Sequence, residues 1–270
     1  MYKFSVIGFP VDHSQSPEIF KYIFNTLQIN GSYKAIEINS FSDLKDFVEK
    51  FKKENFLGCN ITMPYKEKIN TFIDIQDSIS KITQSTNCIK ISNNKIFGYN
   101  NDYYGFKKLI ELKNIKIENS SNIILGSGGS ARTIILFLIN NNVKNISILS
   151  RNKEAALKII KHYNHINDKI KIKLHNQRSD YNDYNLINCT PIGLKKNIDK
   201  NILLQIEHVP FNNIIDINYI YKKDFYNLSY NQIITGELMF IFQAMKSLDI
   251  WFESNISNKL DYVEIKKLLC

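Results

Sequence analysis

The sequence predicts an α/β fold in two domains, and three observations carry that prediction. Residues 1–100 alternate short apolar strands with amphipathic helical segments. Residues 122–149 read as strand, glycine-rich turn, helix, strand. Between these stretches, near residues 113–121, the pattern turns polar, as expected at a junction.

The elements follow in order. Residues 3–7 form a first strand. Ser16-Pro17 starts a helix, with Ser16 as N-cap and Pro17 at the first helical position, where a missing N–H costs nothing. Residues 33–38 are a second strand, and residues 42–53 a helix with Leu44, Phe47, Val48 and Phe51 at helical spacing. Residues 57–62 are a third strand, after which Pro64 begins the next helix. Residues 88–91 and 96–99 read as a hairpin around Ser92-Asn93-Asn94-Lys95, because paired asparagines tolerate left-handed turn angles. Asp102 then caps a helix running to about Leu112. Strands at 122–125 and 145–149 flank a helix at 131–141, a βαβ unit whose parallel strands call for a right-handed crossover. Further strands stand at 186–189 and 214–217, and the tail is helical at 237–252 and 259–269.

Composition narrows the classes. The 270 residues are 44% hydrophobic, enough for a core and against disorder. No run approaches the ~18 consecutive apolar residues of a membrane span, and Met1-Tyr2-Lys3-Phe4-Ser5-Val6-Ile7-Gly8 is too soon interrupted for a secretory signal. A cytoplasmic protein is expected. Cys59, Cys88, Cys189 and Cys270 are far apart with no Cys-x-x-Cys pair, which argues against structural zinc and a disulfide framework; Cys59 and Cys189 read as small core residues. His162 and His165 lie at i, i+3 spacing, but no further ligand can be placed, so they read as surface residues and no metal is expected. The net charge of +9 comes mostly from scattered lysines. Arginine occurs only at Arg132, Arg151 and Arg178, with no aromatic-interleaved basic stripe, so nucleic acid is not an expected partner.

Two runs carry chemistry. Asn60-Ile61-Thr62-Met63-Pro64-Tyr65-Lys66 sets a lysine just after a strand, and Gly98-Tyr99-Asn100-Asn101-Asp102 sets an aspartate just before a helix. An ammonium beside a carboxylate at a sheet edge can relay a proton to or from a substrate oxygen. The bland alternatives are a solvated lysine, which fits Lys68 better, and a simple N-cap at Asp102. His13 reads as a loop or core histidine, since the lysine–aspartate pair already supplies a proton path.

Gly126, Gly128 and Ala131 fit the G-x-G-x-x-G/A pattern between a strand and a helix. The first glycine permits a tight turn, the second lets a pyrophosphate approach the backbone, and the helix N-terminus offers N–H groups and a positive dipole end. A merely structural tight turn is the competing reading. At the end of the next strand, Ser150-Arg151-Asn152 lacks the acidic residue that holds the ribose diol of NAD; a guanidinium there suits a 2′-phosphate, hence NADP(H). Arg132 reads as a surface or phosphate-neighbouring helix residue. A proton donor with a hydride carrier suggests a dehydrogenase.

Together these pieces resemble the shikimate dehydrogenase family, in order along nearly the whole chain. His13-Ser14-Gln15-Ser16-Pro17 resembles its His-Ser-x-Ser-Pro element, which implies that Ser14 and Ser16 bind the substrate carboxylate. The run from Asn60 to Lys66 is similar to Asn-Val-Thr-x-Pro-x-Lys, which implies Lys66 as catalytic and Thr62 as substrate-binding. Thr86-Asn87-Cys88 resembles Val-Asn-Thr, placing Asn87 on the substrate-binding asparagine while Cys88 departs from threonine. Asn100-Asn101-Asp102 resembles Asn-Thr-Asp; Asn101 departs and the catalytic Asp102 is retained. Gly126, Ser127, Gly128, Gly129, Ser130 and Ala131, with Ser150, Arg151 and Asn152, resemble the family's NADP loop and its Asn-Arg-Thr element. The run from Asn188 through Thr190 to Leu194 is similar to Asn-Ala-Thr-Pro-x-Gly-Met, near the nicotinamide. Asp216-Ile217-Asn218-Tyr219 resembles Asp-x-x-Tyr, with Tyr219 on the substrate side. The run from Gly236 to Ala244 is similar to Gly-x-x-Met-Leu-x-x-Gln-Ala, which implies Gly236 as a cofactor contact and Gln243 on a substrate hydroxyl.

The resemblance implies a substrate domain of residues 1–103 plus 236–270 and a Rossmann-like NADP-binding domain of residues 104–235, bridged by the helices after Asp102 and around Gln243, with closure setting nicotinamide against substrate. It implies NADPH-dependent reversible reduction of 3-dehydroshikimate to shikimate in the aromatic amino-acid (chorismate) pathway, by a monomer or homodimer. The alternatives are a quinate/shikimate enzyme using NAD(P), a non-catalytic nucleotide-binding regulator on the same scaffold, and, more distantly, a methylene-tetrahydrofolate dehydrogenase.

Overall fold

The computed structural model describes residues 1–54, 56–176, 184–193, 201–219, 225 and 227–269. Arg178, Leu194 and Cys270 lie outside the described residues. The chain divides into two compact units, Met1–Gly105 with Ile241–Cys270, and Phe106–Phe240.

In the first unit the elements run β1 (Tyr2–Gly8), α1 (Ser16–Thr26), β2 (Gly31–Glu37), α2 (Phe41–Lys53), β3 (Phe56–Ile61), β4 (Ile75–Gln76), α3 (Ser78–Thr83), β5 (Cys88–Ser92) and β6 (Lys95–Tyr99). Their sheet has the order β2-β1-β3-β5-β6-β4. β1 pairs in parallel with β2 and β3, and β5 is antiparallel to both β3 and β6. The β5–β6 hairpin turns on Asn93 and Asn94, both at positive φ, the left-handed angles expected of paired asparagines. α2 is closed at its start by a capping box in which Ser40 accepts from the Asp43 amide at 3.1 Å and Asp43 accepts from the Ser40 amide at 3.0 Å. Its buried face, Leu44, Phe47, Val48 and Phe51, packs with Ile7, Cys59, Ile61, Tyr65 and Ile89.

α4 (Asp102–Leu112) starts in the first unit and runs into the second, whose further elements are β7 (Ser121–Leu125), α5 (Gly129–Asn140), β8 (Asn145–Leu149), α6 (Lys153–Ile166), β9 (Lys171–Leu174), β10 (Tyr184–Asn188), β11 (Phe211–Asp216) and β12 (Tyr230–Thr235). The sheet order is β12-β11-β10-β7-β8-β9 and every pairing is parallel. This is the doubly wound order, in which the chain reverses its direction of build between β7 and β10; ligands bind outside the carboxyl ends of the strands at such a reversal. Strands buried on both faces need to be apolar throughout, and Ile123, Leu125, Leu186 and Ile214 are fully buried. The unit boundaries fall inside α4 and α7 (Glu237–Phe252).

α7 carries Gln243, Ser247 and Trp251 at i, i+4, i+8, hence on one face. Trp251 packs with Phe4 and Phe20 at ring distances of 4.7 and 5.3 Å and donates from Nε1 to the Ile89 carbonyl at 3.0 Å. Gly58 makes room for it, since a Cβ there would stand 2.0 Å from Trp251 Nε1.

Three local expectations are corrected. α1 begins at Ser16 with Gln15 in the cap position and no side-chain cap hydrogen bond; Ser16 is already the first helical residue, its amide donating to Ser14 Oγ at 3.3 Å, so it is not the cap. No α-helix begins at Pro64: a turn closes from the Tyr65 amide to the Thr62 carbonyl, Tyr65 is anchored by its hydroxyl on the Ile38 carbonyl, and a short 3-10 helix starts only at Lys68. The expected tail helix at 259–269 is broken into α8 (Tyr262–Lys266) between 3-10 turns, because Asp261 caps a new start by accepting from the Val263 amide at 2.8 Å.

Candidate active site

Lys66 lies in the turn after β3, and Asp102 opens α4. Lys66 Nζ donates to Asp102 Oδ2 at 2.6 Å, with the side chains 16% and 8% exposed. The pairing follows from the sheet. The Thr86 amide donates to the Lys66 carbonyl at 2.8 Å and the Asn87 amide to the Tyr99 carbonyl at 3.0 Å, so the β5 entrance holds the Lys66 turn on one side and the β6 exit on the other. Asp102 is not simply a helix cap, since its second oxygen accepts from Asn87 Nδ2 at 2.7 Å. Asn87 Oδ1 in turn accepts from the Asn101 amide at 2.7 Å, and Asn87 Nδ2 lies 3.5 Å from Gln243 Oε1.

Beneath this row is a buried polar knot. Asn60 Nδ2 and Asn101 Nδ2 both donate to Ser247 Oγ, at 2.9 and 3.0 Å, and Ser247 donates to the Gln243 carbonyl at 2.9 Å. Tyr33 donates to Asn60 Oδ1 at 2.8 Å. The Cys88 thiol sits beside Ser247, Trp251 and Asn101, and burial pushes it up to about 12, so it is an inert packing group. The two departures from the motif residues, Cys88 and Asn101, therefore meet at one place. Sequence reasoning missed Ser247 and Tyr33; the i+4 step from Gln243 to Ser247 to Trp251 was the available signal.

Of the other first-unit residues, Thr62 is half-buried, its amide donating to the Ile7 carbonyl, and its methyl lies where a Cβ on Gly8 would collide at 2.3 Å. Ser14 is half-buried and Ser16 is buried. His13 is an exposed loop residue against Asp12, in line with its sequence reading.

In the second unit, Gly126 has φ +113°, and a Cβ there would stand 3.0 Å from the Thr190 methyl and 3.1 Å from the Cys189 carbonyl. The glycine loop thus lies against the chain leaving β10, at the reversal of the sheet. A Cβ on Gly128 would meet nothing within 4 Å, which leaves open space at the α5 N-terminus. Gly129 and Ser130 occupy the first helical turn, half-buried, and Ala131 is fully buried. Ser127 Oγ and Ser150 Oγ share a hydrogen bond of 2.8 Å, joining the loop to the end of β8. Arg151 is exposed there, and Asn152 caps α6 by accepting from the Ala155 amide at 2.9 Å. Arg132 is 8% exposed, so it is not a surface residue; the Tyr163 hydroxyl, which donates to its carbonyl at 2.7 Å, helps to enclose it. Cys189 is only partly buried, in contrast to the core position expected for it, because it stands one residue beyond β10.

Thr190 donates from Oγ1 to Asn188 Oδ1 at 2.6 Å. Asn188 and Asn218 both donate to the buried Asp216, each at 2.8 Å, and Asn218 also reaches the Thr190 and Ile192 carbonyls at 3.0 Å. This network holds residues 189–192, just after β10. Tyr219 stacks on Phe240 at 4.1 Å. Gly236 has a structural reason of its own, because a Cβ there would stand 2.1 Å from the Ile217 carbonyl oxygen.

A family model described as the shikimate dehydrogenase substrate binding domain matches residues 6–89. Shikimate dehydrogenase (NADP(+)) of Clostridium beijerinckii is 31% identical over 261 residues, covering 95% of this chain and 94% of that protein. Its namesake from Clostridium botulinum strain Hall is 35% identical over 258 residues, covering 93% and 96%. The crystal structure of shikimate dehydrogenase 1 from Peptoclostridium difficile superposes with a TM-score of 0.81 at 26% identity, over 100% of this chain and 99% of that one. With the paired ammonium and carboxylate in one unit and the doubly wound sheet in the other, these likenesses make the chain an oxidoreductase of the shikimate dehydrogenase family.

Proposed function

We propose that the chain catalyses the reversible, NADPH-dependent reduction of 3-dehydroshikimate to shikimate, with Lys66 and Asp102 as its acid–base pair. The observation that carries this reading is the 2.6 Å contact between Lys66 Nζ and Asp102 Oδ2, residues 36 apart in sequence. Lys66 donates a proton to the alkoxide that develops at the substrate carbonyl and accepts it in the reverse direction. Asp102 holds the ammonium and accepts from a substrate hydroxyl. Ser14, Ser16, Thr62, Asn87, Tyr219 and Gln243 supply the short hydroxyl and amide groups that a polyhydroxy carboxylate requires.

NADP(H), when bound, supplies or takes the hydride. The second unit has the features to hold it: open space over Gly128, the N-terminus of α5 for the pyrophosphate, and an exposed Arg151 at the end of β8 for the 2′-phosphate. Gly126, Ser127, Gly129, Ser130, Ala131, Ser150, Asn152, Thr190 and Gly236 complete the proposed cofactor set. Residues 1–103 with 236–270 are the substrate domain and residues 104–235 the cofactor domain in this reading.

The test follows NADPH absorbance with shikimate, quinate or 3-dehydroshikimate added, on the wild type and on Lys66→Ala. Turnover with shikimate and 3-dehydroshikimate is expected, falling by about 10²–10⁴ in the variant. Undiminished turnover in Lys66→Ala would remove the lysine from the mechanism.

A further inference from the structure

We propose that Ser247 is a positioning residue for the Lys66–Asp102 pair, acting through Asn101 and Asn60. The inference deepens the reading above and rests on it.

A serine hydroxyl has one proton to give and two lone pairs to offer. Ser247 is fully buried and uses all three: it donates to the Gln243 carbonyl and accepts from Asn60 and Asn101. Each partner leads to the catalytic pair. Asn101 immediately precedes Asp102. Its side chain is tied to Ser247, its amide to Asn87 Oδ1, and its carbonyl accepts the Gly105 amide that starts α4. With side chain, amide and carbonyl all engaged, the backbone that carries Asp102 has little room to swing. Asn60 lies near the end of β3, six residues before Lys66, and its amide oxygen accepts from the Tyr33 hydroxyl at 2.8 Å. Ser247 itself is held in place by Trp251, one turn further along α7, whose indole is clamped between Phe4, Phe20 and the Ile89 carbonyl.

Without the hydroxyl, two buried amide N–H groups would lose their acceptor. Such groups move to find another, and the shortest route drags Asn101 and the Asp102 carboxylate with it. Misplacement of a reacting group by about 1 Å can cost ~10²-fold in rate.

The test compares Ser247→Ala, Ser247→Thr and Asn101→Ala with wild type in kcat and KM for shikimate oxidation, alongside the melting temperature. Folded Ala variants are expected to lose kcat by about ten- to a hundredfold with KM for shikimate nearly unchanged, the signature of lost transition-state geometry. Ser247→Thr, which keeps the hydroxyl, is expected to recover most of that loss. A lowered melting temperature with kcat unchanged would reduce the knot to packing and overturn the proposal, as would a Thr variant no faster than Ala. Should Ser247→Ala fail to fold, Asn101→Ala decides; failure of both to fold would make the knot a stabilising feature and also overturn it. Lys66→Ala, measured in parallel, separates the two readings. Intact turnover there defeats the acid–base assignment itself, whereas lost turnover there with intact turnover in Ser247→Ala defeats only the positioning role.

Discussion

Asn87 donates to Asp102 at 2.7 Å through the amide nitrogen whose partner oxygen is already committed to the Asn101 backbone. One side chain therefore fixes both the carboxylate and the main chain that presents it. Asn87→Ala is expected to leave a buried N–H and a buried carboxylate oxygen without those partners, at about 1–3 kcal/mol for each group. A drop of about 10²-fold in kcat/KM should accompany it. Steady-state kinetics and a urea melt check both; a variant with wild-type kcat/KM would show that Asp102 does not depend on Asn87.

Arg151 is exposed at the β8 end, so Arg151→Ala should leave the melting temperature unchanged. Its loss is expected to raise KM for NADPH by about ten- to a hundredfold, corresponding to the ~1.5–3 kcal/mol of charged hydrogen bonds. KM for NADH should barely move. Equal losses for both cofactors would contradict phosphate recognition by this guanidinium.

Gly236→Ala separates two roles of that glycine. Its new methyl would meet the Ile217 carbonyl oxygen at 2.1 Å, and backbone there must shift. A destabilisation of about 1–3 kcal/mol or more is expected in denaturant titration. A variant of wild-type stability with weakened NADPH binding would instead assign the glycine to the cofactor alone.

His175 gives a pH dependence. Burial, then the neighbouring charges of His208 and Lys173, lowers its pKa to about 4 from an ordinary value of 6.5. The folded state thus keeps the ring neutral where the unfolded chain protonates it. Its contribution is fully present above about pH 6.5 and is lost as the pH falls toward 4. Urea midpoints at pH 7.5 and pH 5 should differ less in His175→Gln than in wild type. An unchanged difference would place the acid sensitivity elsewhere.

Much of the fold was legible because helical spacing and turn chemistry are strong in this chain. The α2 face of Leu44, Phe47, Val48 and Phe51 and α7 at residues 237–252 follow from apolar spacing, and the Asn93-Asn94 turn from residue type; the structure agrees with all three. α6 was missed although Asn152, Glu154 and the Ala156, Ile159, Tyr163 stripe mark it, because lysines and histidines dominate its outer face. β12 was missed because it is an edge strand whose Asn231 and Gln232 face solvent. The Lys66–Asp102 pair is expected from the motifs, but the backbone register that builds it is not visible in them. The contact of Lys66 with Asp102 needs β5 and β6 to bring residues 66, 87 and 99 together, a long-range register that no local pattern encodes. The knot around Ser247 was hidden for the same reason: Asn60, Asn101 and Ser247 come from three distant segments.

The stripe of Gln243, Ser247 and Trp251 also constrains how α7 can change over time. Each residue of a helix advances the azimuth by about 100°. A single insertion or deletion between Gln243 and Trp251 would therefore leave the indole in its slot over Gly58 and turn Gln243 and everything before it away from Asn87, or the reverse. This stretch should tolerate substitutions of size and polarity far better than any change of length.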